Sequence, residues 1–123
     1  MSDLQSFFTH YAELYMASDV DAVTALYEAP FLAVREGHPI HLRDREAVRD
    51  HLAGLMDAYR QSGAARADVA SFEAKPLGQS SVNVTVHWHI VDANGGVVRD
   101  LETTYQLLRD PNGWKILSYT NHD

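Results

Sequence analysis

Between Val82 and Ile90 every second residue is large and apolar: Val82, Val84, Val86, Trp88 and Ile90 alternate with Asn83, Thr85, His87 and His89. A period of two belongs to an extended strand, whose successive side chains point to opposite faces. A strand with one apolar and one polar face fits a sheet that is covered on one side. Asn94-Gly95-Gly96 follows, and these residues tolerate the positive φ of a tight hairpin. Residues 97–108 then read as a long returning strand, Pro111-Asn112-Gly113 as another turn, and 114–121 as the last strand. Consecutive strands joined by tight turns pair antiparallel. Ahead of them, 69–74 reads as a further strand, ended by the turn at Pro76-Leu77-Gly78.

The N-terminal half has a helical period. Leu4, Phe7, Phe8, Tyr11, Leu14 and Tyr15 recur at helical spacing to about residue 17, and Ser2 with Gln5 fits a capping box. Ser18 and Asp19 are placed to cap a second, shorter helix with Val20, Val23, Leu26 and Tyr27 inside, and Pro30 is expected to end it. Two short strands, 31–36 and 40–42, flank a turn at Gly37-His38-Pro39. Asp44 is placed to cap a third helix with the stripe Val48, Leu52, Leu55, Met56 and Tyr59, and Gly63 is its left-handed stop. Three helices ahead of a strongly curved, mainly antiparallel sheet predict an α+β fold. The 123 residues, 46% of them hydrophobic, suit one domain over 1–123 with a core of its own.

Charge and cysteine content remove several function classes. The chain has no cysteine, so thiolate catalysis, iron–sulfur clusters and Cys-based zinc sites are excluded. Seventeen acidic against ten basic residues give a formal charge of −7, with no basic stripe for phosphates, so no nucleic acid is expected as a partner. No apolar run approaches the roughly 18 residues of a membrane span, and no leader is read at the N-terminus. The expectation is a soluble, cytoplasmic protein that does not engage membranes.

Three stretches carry a resemblance to a known family. They are Tyr11-Ala12-Glu13-Leu14 with Ser18-Asp19-Val20-Asp21-Ala22-Val23 and Ala25-Leu26-Tyr27; Arg43-Asp44-Arg45-Glu46-Ala47-Val48-Arg49; and Gly113-Trp114-Lys115-Ile116. With the order of elements, they resemble the NTF2-like superfamily: the cystatin-like, cone-shaped α+β fold of ketosteroid isomerases, SnoaL-type cyclases and scytalone dehydratases. The resemblance implies a pocket between helices and concave sheet that takes small molecules. It does not imply one reaction, because this fold hosts many. Against the ketosteroid-isomerase pattern, Tyr11 matches the tyrosine that binds a developing oxyanion. Arg35 stands where the pattern has its carboxylate base, and Thr103 or Thr104 stands where it has a protonated aspartate. A permanently charged arginine cannot remove a proton, so that mechanism is disfavoured.

The candidate site follows from these positions. Tyr11 is read as a hydrogen-bond donor to a ligand carbonyl or oxyanion, as against a core tyrosine bonded to backbone. Arg35, in phase with Phe31 and Ala33, is read as an anion anchor, as against a surface arginine paired with an acid. Met56, Trp88, Tyr105 and Asn121 complete the expected ligand-binding set. His87 and His89 share one face of their strand and enter a catalytic role only if that face is the concave one. Two imidazoles without a placed third ligand are a weak metal signature, so neither metal nor cofactor is expected. Tyr59, Arg60 and His51 are read as the exposed edge of the third helix. Val91, Leu108 and Leu117 give the opposite sheet face some apolar character, from which a homodimer through the sheet is expected. The resulting reading is a small-molecule-binding protein. It is either a cofactor-free isomerase, cyclase or dehydratase acting on a small carbonyl-bearing or cyclic compound, or a non-catalytic binder of ligand or partner.

Overall fold

The computed structural model describes residues 2–122, and for Ser2 the backbone alone; the capping box read at Ser2 therefore lies outside the described side chains. Its elements are α1 (Ser2–Met16), α2 (Val20–Thr24), β1 (Tyr27–Arg35), β2 (His38–Leu42), α3 (Arg45–Gln61), β3 (Ala64–Leu77), β4 (Ser81–Asp92), β5 (Val97–Asp110) and β6 (Gly113–Asn121). The six strands form one curved, unclosed sheet in the order β2-β1-β6-β5-β4-β3. Every neighbouring pair is antiparallel except β1 with β6, which is parallel.

Both caps read from the sequence form. The Asp19 carboxylate accepts from the Ala22 amide at 3.2 Å, and that of Asp44 from the Ala47 amide at 2.9 Å. Each satisfies an amide that the first helical turn leaves without a partner. Beyond Gln61 the chain turns through Gly63 in the left-handed region, at φ 86°. At the β4–β5 hairpin the Asp92 carboxylate accepts from the Asn94 and Gly96 amides, each at 2.9 Å, and Gly95 takes the positive φ.

Two local expectations are corrected. The second helix does not run to Pro30: it stops at Thr24, and Tyr27 already lies in β1. The Ile116 amide donates to the Leu26 carbonyl at 2.8 Å, so pairing with β6 captures the chain before another helical turn can form. Pro30 falls in the gap between Tyr27 and Leu32 where the β1–β6 register slips, a place that tolerates a residue without an N–H. The β1–β2 turn consists of Glu36 and Gly37, both at positive φ, so His38 and Pro39 belong to the strand. A two-residue turn of this kind matches the twist of a hairpin.

The core lies between the helices and the concave face of the sheet. Leu4, Phe8, Tyr11 and Ala12 of α1, and Val48, Leu52 and Met56 of α3, are buried against Val82, Val84, Val86, Trp88 and Ile90 of β4. Phe8 is fully buried and meets Tyr11, Phe72, Trp88 and Tyr105 at ring-centroid distances of 4.8 to 6.4 Å. The alternating series of β4 thus faces the helices, and His87 and His89 face away from them. Among the described residues, no helix is long and apolar enough to cross a membrane.

Candidate functional site

The cavity opens where the core stops filling the cone. It is walled by α1 (Tyr11, Ala12, Tyr15, Met16), α3 (Leu55, Tyr59) and the inward side chains of the sheet. From the sheet come Tyr27 and Arg35 of β1, Ala67 of β3, Trp88 and Ile90 of β4, Leu101, Thr103 and Tyr105 of β5, and Tyr119 and Asn121 of β6. All six tyrosines of the chain line it. Its free volume is about 60 Å³, room for a few water molecules. A shallower hollow of about 470 Å³ between α1 and β3 shares the wall of Ala12, Met16 and Ala67 with it.

Its phenols are ordered by three sets of hydrogen bonds. The Tyr11 and Tyr27 hydroxyls bond each other at 2.7 Å. One of them donates, which leaves the acceptor's own proton available to a ligand. Burial, aided by the neighbouring tyrosines, pushes the Tyr11 phenol well up, and burial does the same for Tyr27, so both stay neutral donors. The Trp88 indole N–H donates to the Tyr105 hydroxyl at 2.9 Å, which fixes both rings against the cavity. The Thr103 hydroxyl donates to the Asn121 side-chain oxygen at 2.9 Å, which occupies part of that amide's acceptor capacity.

The third set carries charge. The Arg35 guanidinium donates to the Tyr119 hydroxyl at 3.2 Å, and the same hydroxyl meets His51 Nε2 at 2.7 Å. Among the described residues no carboxylate lies within 4.0 Å of Arg35, whereas Arg49, Arg60, Arg66 and Arg109 are each paired with one. Arg35 is also the one charged residue of the described lining. Burial, and then the nearby Arg35 charge, lowers the His51 pKa below 6.5, so its imidazole is a free base at neutral pH. In the tautomer that carries its proton on Nδ1, His51 Nε2 accepts a hydrogen bond from the Tyr119 hydroxyl while Arg35 donates to the same oxygen. Burial raises the Tyr119 pKa in spite of the Arg35 bond, so the phenol remains protonated. Arg99 extends over the Tyr59 ring, 5.9 Å from its centroid, and adds a second cation close to the cavity.

The structure brings Tyr11, Arg35, Trp88, Tyr105 and Asn121 around one space. Met56 is not among them: it is buried in the core beside Val48 and Leu52, while Leu55, one position earlier on α3, reaches the lining. His87 and His89 point from the convex face, so the condition for their role in this cavity is not met. Thr103 faces the cavity, and Thr104 faces out, bonded to Thr85 and His122. His51 and Tyr59 are not exposed edge residues: His51 is half-buried behind Tyr119 and Tyr59 lines the cavity, whereas Arg60 is exposed. Tyr119 itself was not singled out by sequence. The detectable signal was the number of tyrosines falling on otherwise inward positions of α1, α3 and β1.

The profile of one family, described as NTF2-like protein (DUF6841), matches residues 2–123. The chain belongs to this NTF2-like family. No curated protein matches the sequence at a significant level. An NTF2-like protein with a cystatin-like fold from Novosphingobium aromaticivorans superposes with a TM-score of 0.76 at 17% identity, covering 98% of this chain and 79% of that one. An NTF2-like protein of unknown function from Shewanella oneidensis gives 0.76 at 15% identity, covering 99% and 98%. A protein of the NTF2-like family from Streptomyces avermitilis, provisionally described as a dehydratase, gives 0.74 at 17% identity, covering 98% and 92%. These likenesses concern the fold.

Proposed function

We propose that the NTF2-like cavity binds a small carbonyl-bearing or cyclic compound and moves a proton within it, with protein groups as acid and base. The observation that carries this reading is the line Arg35–Tyr119–His51, which joins a cavity-facing phenol to a cation on one side and a free imidazole on the other. The ligand's oxygen would lie against the Tyr11–Tyr27 pair or Arg35, where negative charge that develops on it meets donors already in place. A proton leaving the ligand passes to the Tyr119 oxygen as the phenol's own proton moves to His51 Nε2. Return of that proton to another carbon completes an isomerisation, and its delivery to a departing hydroxyl completes a dehydration. The provisional description of the Streptomyces avermitilis protein is compatible with the second outcome.

The alternative is a binder without catalysis. It is favoured by the described lining, which has no carboxylate and no histidine in direct contact with the cavity. The volume of about 60 Å³ also lies below the roughly 300 Å³ at which ligand pockets usually begin. A ring-sized ligand therefore needs the Ala12–Met16–Ala67 wall to yield toward the adjoining hollow. Cyclic enones and 1,3-dicarbonyl compounds incubated in D2O and followed by NMR separate the two readings. Accelerated C–H exchange that falls roughly 10²- to 10⁴-fold in His51→Ala and Tyr119→Phe supports catalysis. Binding without exchange supports the binder, and neither binding nor exchange overturns both.

A further inference from the structure

We propose that the convex face of the sheet holds a divalent transition-metal site made by His87, His89 and Asp100, on the opposite side of β4 from the cavity. The sequence shows two imidazoles two residues apart; the fold supplies the third ligand. In the β4–β5 ladder His89 stands directly opposite Asp100 and His87 opposite Glu102, so Asp100 lies across from one histidine and diagonal to the other. The Asp100 carboxylate faces both rings: one oxygen is bonded to His87 Nε2, and the other lies 3.5 Å from His89 Nε2. The imidazole rings meet edge to face at 5.0 Å, and one ligand atom from each of the three residues lies within 4.8 Å of the others.

These separations suit an ion. Ligand atoms bound at about 2.0–2.2 Å in a tetrahedral set stand roughly 3.4 Å apart. The His89–Asp100 separation is near that value, the shorter His87–Asp100 contact has to open, and one ligand atom from each residue already lies within 4.8 Å of the others. All three side chains are partly exposed in the single chain on a paired stretch of sheet, so the backbone holds the set. Two imidazoles and one carboxylate, with no thiolate, select borderline ions of the zinc, nickel, cobalt or copper class over calcium or magnesium. Glu102, adjacent on the same face and 3.8 Å from His122, adds negative potential, as does the net charge of −7.

The site is independent of the cavity chemistry, and its test is too. The full chain, treated with chelator and then freed of it, is titrated with ZnCl2 by calorimetry at pH 7.5. One equivalent with micromolar affinity is expected. His87→Ala, His89→Ala and Asp100→Asn should each weaken binding at least about tenfold, since even outer partners of metal ligands cost that much. His38→Ala/His41→Ala should leave it unchanged. The ¹⁵N imidazole resonances of His87 and His89 in the unmutated chain should move on zinc addition while that of His51 does not, a readout that requires no variant to fold. No heat up to millimolar zinc, or unchanged binding in a folded His87→Ala/His89→Ala chain, overturns the proposal.

Discussion

Replacing Arg35 by methionine separates a ligand-binding cation from a structural one. Methionine keeps most of the aliphatic stem and deletes the charge. In the folded chain the guanidinium has one side-chain partner, the Tyr119 hydroxyl at 3.2 Å, and no carboxylate within 4.0 Å among the described residues. The lost hydrogen bond costs about 0.5–1.5 kcal/mol, and relief of a half-buried cation without a counter-charge returns a similar amount. Stability should therefore change by less than about 1 kcal/mol, which for a domain of this size is less than about 5 °C in Tm. Binding is different. A charge-assisted hydrogen bond to a carboxylate or enolate contributes about 1.5–3 kcal/mol, so an anionic probe such as benzoate should bind roughly 10- to 150-fold more weakly. The variant also acts on His51, whose pKa is lowered first by burial and second by Arg35. Removing Arg35 should raise that pKa toward 6.5 without reaching it, because the burial remains. The sign then follows: His51 contributes stability above pH 6.5 that is lost as pH falls toward its lower folded value, and in Arg35→Met this loss becomes smaller. Urea unfolding between pH 5 and 8, benzoate titration, and the His51 imidazole signal followed by NMR measure the three quantities. A drop in Tm of 10 °C or more with benzoate affinity unchanged would refute the reasoning, because Arg35 would then be a structural residue.

Three further substitutions test the fold and the relay. Tyr119→Phe keeps the ring against Phe31 and Tyr105 and removes only the hydroxyl, so unfolding should be easier by about 1–2 kcal/mol while proton exchange into a bound ligand collapses; stability and exchange changing in proportion would argue against a relay. Phe8→Ala empties a fully buried site among five aromatic rings and should cost about 3–5 kcal/mol by thermal or urea denaturation. Asp44→Ala removes the cap on the Ala47 amide and should cost about 1 kcal/mol, with Asp44→Asn recovering most of it.

The elements that the sequence made legible are those in which local chemistry and tertiary packing agree. The period of two from Val82 to Ile90, the Asp19 and Asp44 caps, the Asn94-Gly95-Gly96 turn and the Gly63 stop all occur as read. From Tyr27 to Pro30 the helical spacing is overridden by a parallel partner about ninety residues further along the chain. Tyr119 was hidden for a different reason. Ile116 pairs with Leu107 and Ser118 with Gln106, so Leu117 is an extra residue in β6. Behind that bulge the inward positions change from even to odd: Ile116 is buried in the core, and Tyr119 and Asn121 line the cavity. A strict alternation drawn through the strand places Tyr119 outside. The slip between Ile90 and Val91 is a second irregularity, with the extra residue in β5: Ile90 pairs with Arg99 and Val91 with Val97, which leaves Val98 unpaired in the ladder. Bulges of this kind re-aim side chains at the rims of curved sheets.

His51 shows what spacing cannot supply. On α3 it lies one residue before Leu52 of the buried stripe, a position that reads as flank. It becomes part of the site because β6 brings a hydroxyl to 2.7 Å, and it is a base because burial, and after it the Arg35 charge that β1 brings close, depresses its pKa. Three elements far apart in sequence thus create one property, a neutral imidazole behind a phenol, that none of them carries alone. The pair on β4 is the converse. His87 and His89 are conspicuous in sequence, yet Trp88 between them is the residue that reaches the cavity. Strand geometry divides the chemistry of β4 between two faces: the inward face supplies shape and a single indole donor, and the outward face gathers the imidazoles against Asp100. Mutations at 87 or 89 should therefore leave cavity occupancy intact, while Trp88→Phe, which strips the Tyr105 hydroxyl of its donor, should alter it without affecting the outer face.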